Sequence, residues 1–267
     1  MHSDYLDPDI IQERLSNVAF VTRIHAFETL SSTSDVAKRL AASEARHGTL
    51  VIADRQTTGR GQHGRYWHSP PGVGLWFSLV LQFPRGANLQ TLPLFLSEKI
   101  AVALQNLLNV EFHVKWPNDL LFHGKKISGV LCEAGSSNNG VDYVVAGIGI
   151  NVNHEDKHFP DDLRQKATSL FAVAGRKIDR LAVLAAILAE LDKTFSLQNA
   201  KHLTDLSQWR KMCPDIGKSL RLRLNDAEIE GVFKDVDDDG ALLLETSGGR
   251  VRRFLAGEIT VLRDGQL

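Results

Sequence analysis

Cysteine is nearly absent from this chain: only Cys132 and Cys213 occur, far apart. That excludes a disulfide framework and a cysteine-rich zinc centre. Net charge is nearly absent too, since 31 Lys and Arg against 32 Asp and Glu leave −1 at pH 7. Proteins whose main business is duplex DNA usually carry a basic bias, so specific DNA binding is not expected. No run of eighteen apolar residues occurs, so no membrane-spanning helix is expected. The first residues, Met1-His-Ser-Asp-Tyr-Leu-Asp7, are polar and acidic where a signal peptide would be basic and then apolar. The expected location is the cytoplasm. None of the ten histidines falls in a convincing metal-ligand spacing. His154 and His158 are four apart, but the Asn and Asp around them and Pro160 read as loop. A Walker A sequence and a G-x-S-x-G elbow are both missing.

Glycine and arginine are concentrated in one place. Arg55 begins the run Gln56-Thr-Thr-Gly-Arg-Gly-Gln-His-Gly-Arg-Tyr-Trp67. Gly59, Gly61 and Gly64 allow sharp turns and close approach to a ligand, while Arg60 and Arg65 add permanent cations. Such a loop suits closure over a phosphorylated small molecule. Its G-x-G-x-x-G spelling is not a dinucleotide fingerprint, which needs a strand directly before and a helix directly after. The strand-like run 49–53 stops short of Gly59, and Pro70-Pro71 blocks a helix. Further on, Lys115-Trp-Pro-Asn-Asp119 and Lys126-Ile-Ser-Gly129 bring more cations and a carboxylate. Together these runs suggest an enzyme that makes or holds an activated acyl-phosphate.

Along the chain, residues 18–25 read as a strand and 35–45 as a helix. Ser32, Thr33 and Ser34 stand at its N-terminus, where one hydroxyl caps the helix and the others can grip a polar ligand group. An apolar strand is expected over 74–83 and a helix over 92–110, with Pro93 near its start. Short strands come next at 114–116 and 120–122. A turn at His123-Gly124 then returns residues 125–134 as a hairpin partner. Residues 141–152 read as a buried strand in which Gly147 and Gly149 mark either bulges or close approach of a ligand or backbone. Helices are expected over 179–195 and 201–211. After Cys213-Pro214 the pattern changes to short strands at 219–224, 229–234, 241–245, 251–255 and 259–262, separated by Asp- and Gly-rich turns. Such regular short strands argue a small β-barrel. The expected domains are 1–213 and 214–267.

These motifs, in this order, resemble the bacterial biotin–protein ligases. The likeness rests on Ser32-Thr-Ser34, Gln56 to Trp67, Lys115 to Asp119 with Lys126 to Gly129, and Gly147-Ile-Gly-Ile-Asn151. It runs from about Thr29 to the C-terminus. The resemblance implies an α+β fold. A mixed sheet with helices, like that of class II aminoacyl-tRNA synthetases, is followed by an SH3-like barrel. It also implies two reactions. Biotin and ATP form biotinyl-5′-AMP, and a lysine of the biotin carboxyl carrier protein of acetyl-CoA carboxylase then takes the biotinyl group.

By the same resemblance Lys126, Arg60 and Asp119 are the catalytic residues. Ser32, Thr33, Ser34, Gln56, Gly59, Arg60, Gly61, Gln62, Trp67, Lys126, Gly129, Leu131, Gly147 and Gly149 bind biotin. Arg60, Arg65, Lys115, Asn118, Asp119 and Asn151 bind ATP. Mg²⁺ is expected to be held mainly by ATP phosphates, with Asp119 the one protein candidate. A monomer and a homodimer both stay open. The chain departs from the family pattern at Ser34, where asparagine is common, and at Gln62, where arginine is common. Arg263 lies one position later than the pattern places it and is given no role. Only 28 residues precede Thr29, so the ligase-only form, without the DNA-binding domain of some members, is expected.

Overall fold

The computed structural model describes residues 6–44, 46–83, 87–136, 142–195, 203–224 and 227–262. Arg263 and the turn at residues 225–226 therefore lie outside the described residues. Two sheets carry the fold. The larger has seven strands: β1 (Arg23–Leu30), β2 (Thr49–Gln56), β3 (Gly74–Gln82), β4 (His113–Lys115), β5 (Asp119–Phe122), β6 (Lys125–Ser136) and β7 (Asp142–Asn151), in the order β1-β2-β3-β7-β6-β5-β4. Only β1 and β2 run parallel; the other neighbours are antiparallel. The sheet is thus mixed, as expected. The smaller sheet is antiparallel throughout: β8 (Ser219–Leu224), β9 (Ala227–Val236), β10 (Leu242–Thr246), β11 (Arg250–Phe254) and β12 (Glu258–Val261), in the order β11-β10-β9-β8-β12.

Alternation along the central strands sends successive side chains to opposite faces. Leu50, Ile52, Leu79, Leu81, Val144 and Ala146 point into the main core. That core includes residues of α3 (Leu92–Leu108) and α5 (Arg180–Phe195). Val51, Val80, Tyr143 and Val145 point the other way and pack on Ala37 and Ala41 of α2 (Thr33–Glu44). This second, smaller cluster seats α2 on the functional face. β3 is buried at every position but the last, which explains its unbroken apolar sequence.

Two expectations shift. Residues 18–25 were expected as a strand, but β1 begins at Arg23. Val18 and Phe20 are buried without belonging to it, and Phe20 packs on Phe195 at 5.5 Å. Their apolar character serves the core, not a ladder. Helix α1 (Pro8–Arg14) was not expected at all, though its start is legible: Asp7 caps it through Asp9 and Ile10, with Pro8 in the first turn. The last helix before the smaller sheet, α6 (Ser207–Met212), is shorter than expected, and residues 201–202 lie outside the described residues. Between α4 (Leu170–Ala174) and the sheet, residues 166–168 run beside Lys126.

Contacts join the smaller sheet to the rest of the fold. The buried Trp116 indole donates to the carbonyl of Gly240 at 2.9 Å. Arg210 of α6 reaches Asp235 and the Val236 carbonyl.

Candidate functional site

Glycine decides where the site lies. β6 and β7 pair in unbroken register, Gly129 opposite Gly149 and Leu131 opposite Gly147. Gly147 and Gly149 are therefore not bulges. They mark close approach, by the side chains of Ser34 and Trp67 where the sequence suggested a ligand or a backbone. A Cβ at Gly147 would lie 2.5 Å from Ser34 Oγ, and one at Gly149 would lie 2.5 Å from the Trp67 ring. At Gly129 a Cβ would meet Lys126 Cε at 3.1 Å and Trp67 at 3.2 Å. The three glycines thus line one strip of the strand face that also carries α2, with Ser34 Oγ close on Gly147 and the Trp67 ring close on Gly149 and Gly129; this strip is the glycine slot.

One end of the slot is a connected set of hydroxyls and amides. Ser32 directly precedes α2, its carbonyl accepting from Val36 N–H at 3.2 Å. Ser32, Thr33 and Ser34 are all buried. Gln56 Oε1 accepts from the Thr33 N–H at 2.8 Å and from its hydroxyl at 3.0 Å. Ser78 Oγ donates to Thr33 Oγ1 at 2.8 Å and is hydrogen-bonded to Ser34 Oγ at 3.1 Å. Gln56 Nε2 donates to Ser69 Oγ at 3.0 Å, which donates to the Trp67 carbonyl. Buried polar groups that satisfy one another hold a fixed geometry. Ser78 and Ser69 were missed from the sequence. Ser78 had a signal, being the one hydroxyl in the apolar run 75–81.

The other end is ionic. Lys126 Nζ lies 2.5 Å from Asp119 Oδ1 and 5.1 Å from the centre of the Trp67 ring. Both contacts suit an ammonium. The Lys126 backbone is fastened on both sides, its N–H to Lys166 O at 2.8 Å and its carbonyl to Thr168 N–H at 2.9 Å. Asn151 donates to Thr168 O at 3.1 Å and Lys126 O at 3.4 Å, so it braces this end. Buried Asn118 donates to the Val130 carbonyl and braces β5 against β6. Lys115 stands opposite Asp119 on β4 with no ion pair among the described residues.

The glycine loop is a short hairpin. Strand β2 runs to Gln56, longer than the expected 49–53. No α-helix opens after it: Gly61 N–H bonds Arg65 O at 2.8 Å, and Trp67 N–H bonds Gly59 O at 2.9 Å. Gln62 lies near the tip, where His63 and Gly64 take φ of 56° and 71°. Gly59 leaves no room for a side chain, since a Cβ there would sit 2.4 Å from the Trp67 carbonyl. Neither loop arginine lies beside Lys126. Arg60 Nη2 pairs with Asp35 at 2.8 Å and Glu133 at 3.0 Å. Arg65 makes a forked pair with Glu258 of β12 at 3.0 and 3.2 Å, and Arg223 joins the same carboxylate. Burial pushes the Glu258 carboxyl up, but hydrogen bonds from Arg223 and Arg65 outweigh it and hold it below its usual range.

Behind Trp67 the packing continues through Trp76 to His154. His154 is stacked on Phe159 at 4.9 Å, and neither ring nitrogen has a partner among the described residues. Burial, with the nearby His158 and His68 adding repulsion, lowers its pKa to about 3. Unfolded, the ring takes a proton below about pH 6.5, while folded it stays neutral down to about pH 3. Its contribution is therefore complete above pH 6.5 and lost as pH falls towards 3, at up to about 1.4 kcal/mol per pH unit. Denaturation midpoints at pH 7.5 and pH 5 should differ less for His154→Phe than for the wild type. An equal difference would place the acid sensitivity elsewhere.

A glycine-lined slot, polar at one end and closed by a lysine–carboxylate pair at the other, has the chemistry of a ligase that activates a small carboxylic acid. Comparison with known proteins agrees. Residues 26–151 match the biotin/lipoate A/B protein ligase family, and residues 215–262 match the biotin protein ligase C terminal domain. The chain is 39% identical to the bifunctional ligase/repressor BirA of Bacillus subtilis, over 87% of this chain and 72% of that protein. It is 29% identical to the biotin–[acetyl-CoA-carboxylase] ligase of Mycobacterium tuberculosis, over 88% and 87% of the two chains. The biotin protein ligase of Aquifex aeolicus, solved with biotin and ATP, superposes with a TM-score of 0.76 at 32% identity, covering 91% of this chain and 99% of that one. The chain belongs to the biotin/lipoate A/B protein ligase family.

Proposed function

We propose that this protein is an ATP-dependent biotin–protein ligase. It forms biotinyl-5′-AMP and transfers the biotinyl group to a lysine of the biotin carboxyl carrier protein of acetyl-CoA carboxylase. The observation that carries this is the placing of Lys126 at one end of the glycine slot and the hydroxyl cluster at the other. The relatives named above are biotin ligases, and the solved Aquifex relative holds biotin and ATP.

In this reading the ureido ring lies against Ser32, Thr33, Ser34 and Gln56, and the valeryl chain passes over Gly147, Leu131, Gly149 and Gly129. The carboxylate then reaches Lys126. A carboxylate oxygen attacks the α-phosphorus of ATP and pyrophosphate leaves. The carrier's lysine amine next attacks the acyl carbon, and AMP leaves with the bridging oxygen. Two anions must meet in the first step, so a preformed cation there lowers the barrier. Lys126 supplies that charge once the substrates draw it from Asp119. Lys115, Asn118 and Asn151 serve the nucleotide side. Arg65 reaches the nucleotide only by leaving Glu258.

Among the described residues no group of three His, Cys, Asp or Glu side chains could hold a metal. In this reading Mg²⁺ is carried by phosphate oxygens, with Asp119, beside Lys126, as the protein carboxylate at that end. The seven-stranded sheet and the smaller sheet correspond, in this reading, to a synthetase-like catalytic domain over 1–213 and an SH3-like domain over 214–267. Specific DNA binding forms no part of it, in keeping with the net charge of −1.

Purified protein with biotin, ATP and Mg²⁺ should exchange labelled pyrophosphate into ATP, and adding carrier domain should give one biotinylated lysine. Lipoate should neither support exchange nor raise the melting temperature as biotin does. Folded protein that catalyses neither half-reaction with biotin would defeat the proposal.

A further inference from the structure

Arg60 joins both walls of the slot. Asp35 lies in the first turn of α2, directly after Ser34. Glu133 lies on β6, two residues beyond Leu131 and so on the same face. One guanidinium nitrogen, Arg60 Nη2, is 2.8 Å from the Asp35 carboxylate and 3.0 Å from that of Glu133. The other oxygen of Glu133 is held by Lys38, one turn along α2 from Ser34. Helix, strand and hairpin are therefore tied together beside the hydroxyl cluster. All three pairs are only partly exposed. Lys126 and Glu133 are seven residues apart along β6, roughly 20 Å of extended strand, so this tie is remote from the reacting carboxylate.

We infer that Asp35 and Glu133, with Glu133 steadied by Lys38, are positioning residues that hold the hairpin of residues 59–67 across the slot and so set the dwell time of biotin and its adenylate. The inference rests on the slot being the biotin slot. The hairpin is otherwise attached to the large sheet through its two ends, Thr57 and Thr58 against Leu30 and Ser31, and Trp67 against Gly149 and Gly129. Its arm at Arg60 is secured on this side by the two carboxylates. Neutral isosteres keep the shape and one hydrogen-bonding oxygen while removing the charge, so they test the tie without emptying the site.

The test uses the full chain and the double variant Asp35→Asn/Glu133→Gln. In ligand-free protein, tryptic cutting after Arg60 and Arg65 should be at least threefold faster in the variant, with the melting temperature and cutting at other sites unchanged. Release of biotin and of preformed biotinyl-AMP should be about three- to tenfold faster. Raising the salt concentration should speed release from the wild type more than from the variant, because the variant has lost the charge pairs at Arg60 and keeps only that of Arg65 with Glu258 on the hairpin. A purely structural role would not produce that difference in salt response. Unchanged hairpin cutting and unchanged release, or equal salt responses, would overturn the inference. Wild-type protein that binds no biotin would overturn the ligase reading instead, and the proteolysis result would then be read separately.

Discussion

Lys126→Ala should lower biotin-dependent pyrophosphate exchange at saturating substrates by about 10²–10³-fold, the usual cost of removing one positioned charge-stabilising group. The fold should survive the change. The Lys126 backbone is fastened by Lys166 and Thr168 through main-chain atoms alone, and the side chain is a third exposed. What disappears is the cation at the end of the slot, together with its contacts to Asp119 and the Trp67 ring. Biotin affinity should fall less than turnover, since most of the slot is untouched. Lys126→Arg should recover part of the rate, because charge returns but a planar fork replaces a compact ammonium. Exchange within threefold of wild type for the alanine variant would remove Lys126 from the chemistry.

Gly147→Val should weaken biotin binding while sparing the nucleotide side. The Cβ alone would stand 2.5 Å from Ser34 Oγ, and the two methyls would reach further into the slot. Forcing methyl groups into a packed space costs typically about 1–3 kcal/mol, or about 5- to 150-fold in affinity. Gly147→Ala should fall between. Because valine favours strands and the β6–β7 ladder is regular here, folding should be affected less than binding. Calorimetry is the direct check, and unchanged biotin affinity in a folded Gly147→Val protein would take this strand face out of the pocket.

Much of this was legible in the sequence because its causes are local. The glycine pair in an otherwise apolar strand could mean only a bulge or a close approach, and the register of β6 against β7 decides for the second. The hydroxyl triplet before a helical pattern marked the start of α2. The short strands after Pro214 announced the second sheet. What escaped depended on partners distant in sequence. Val18 and Phe20 look like strand residues, yet their burial is settled by contacts such as that of Phe20 with Phe195. Asp35 and Glu133 stand far apart in the sequence, and only the hairpin brings Arg60 to both of them. The sequence placed Arg65 in the loop, but nothing in it announced Glu258 as its partner, 193 residues away. His154 looked like part of a solvated loop pair, and only the ring of Phe159 and the indole of Trp76 make it a core residue.

The hydrogen bond from Trp116 to Gly240 ties activity to synthesis. Trp116 sits in the turn that presents Asn118 and Asp119, and its buried N–H finds its acceptor 124 residues later. A ribosome that has finished the whole seven-stranded sheet has not yet supplied that carbonyl. Until it does, the indole keeps an unpaired donor whose burial costs about 1–3 kcal/mol. The turn beside Lys126 is therefore completed only when the first two strands of the second sheet have emerged, and a chain broken off earlier would carry every motif of the slot while lacking the clasp that sets one of its walls.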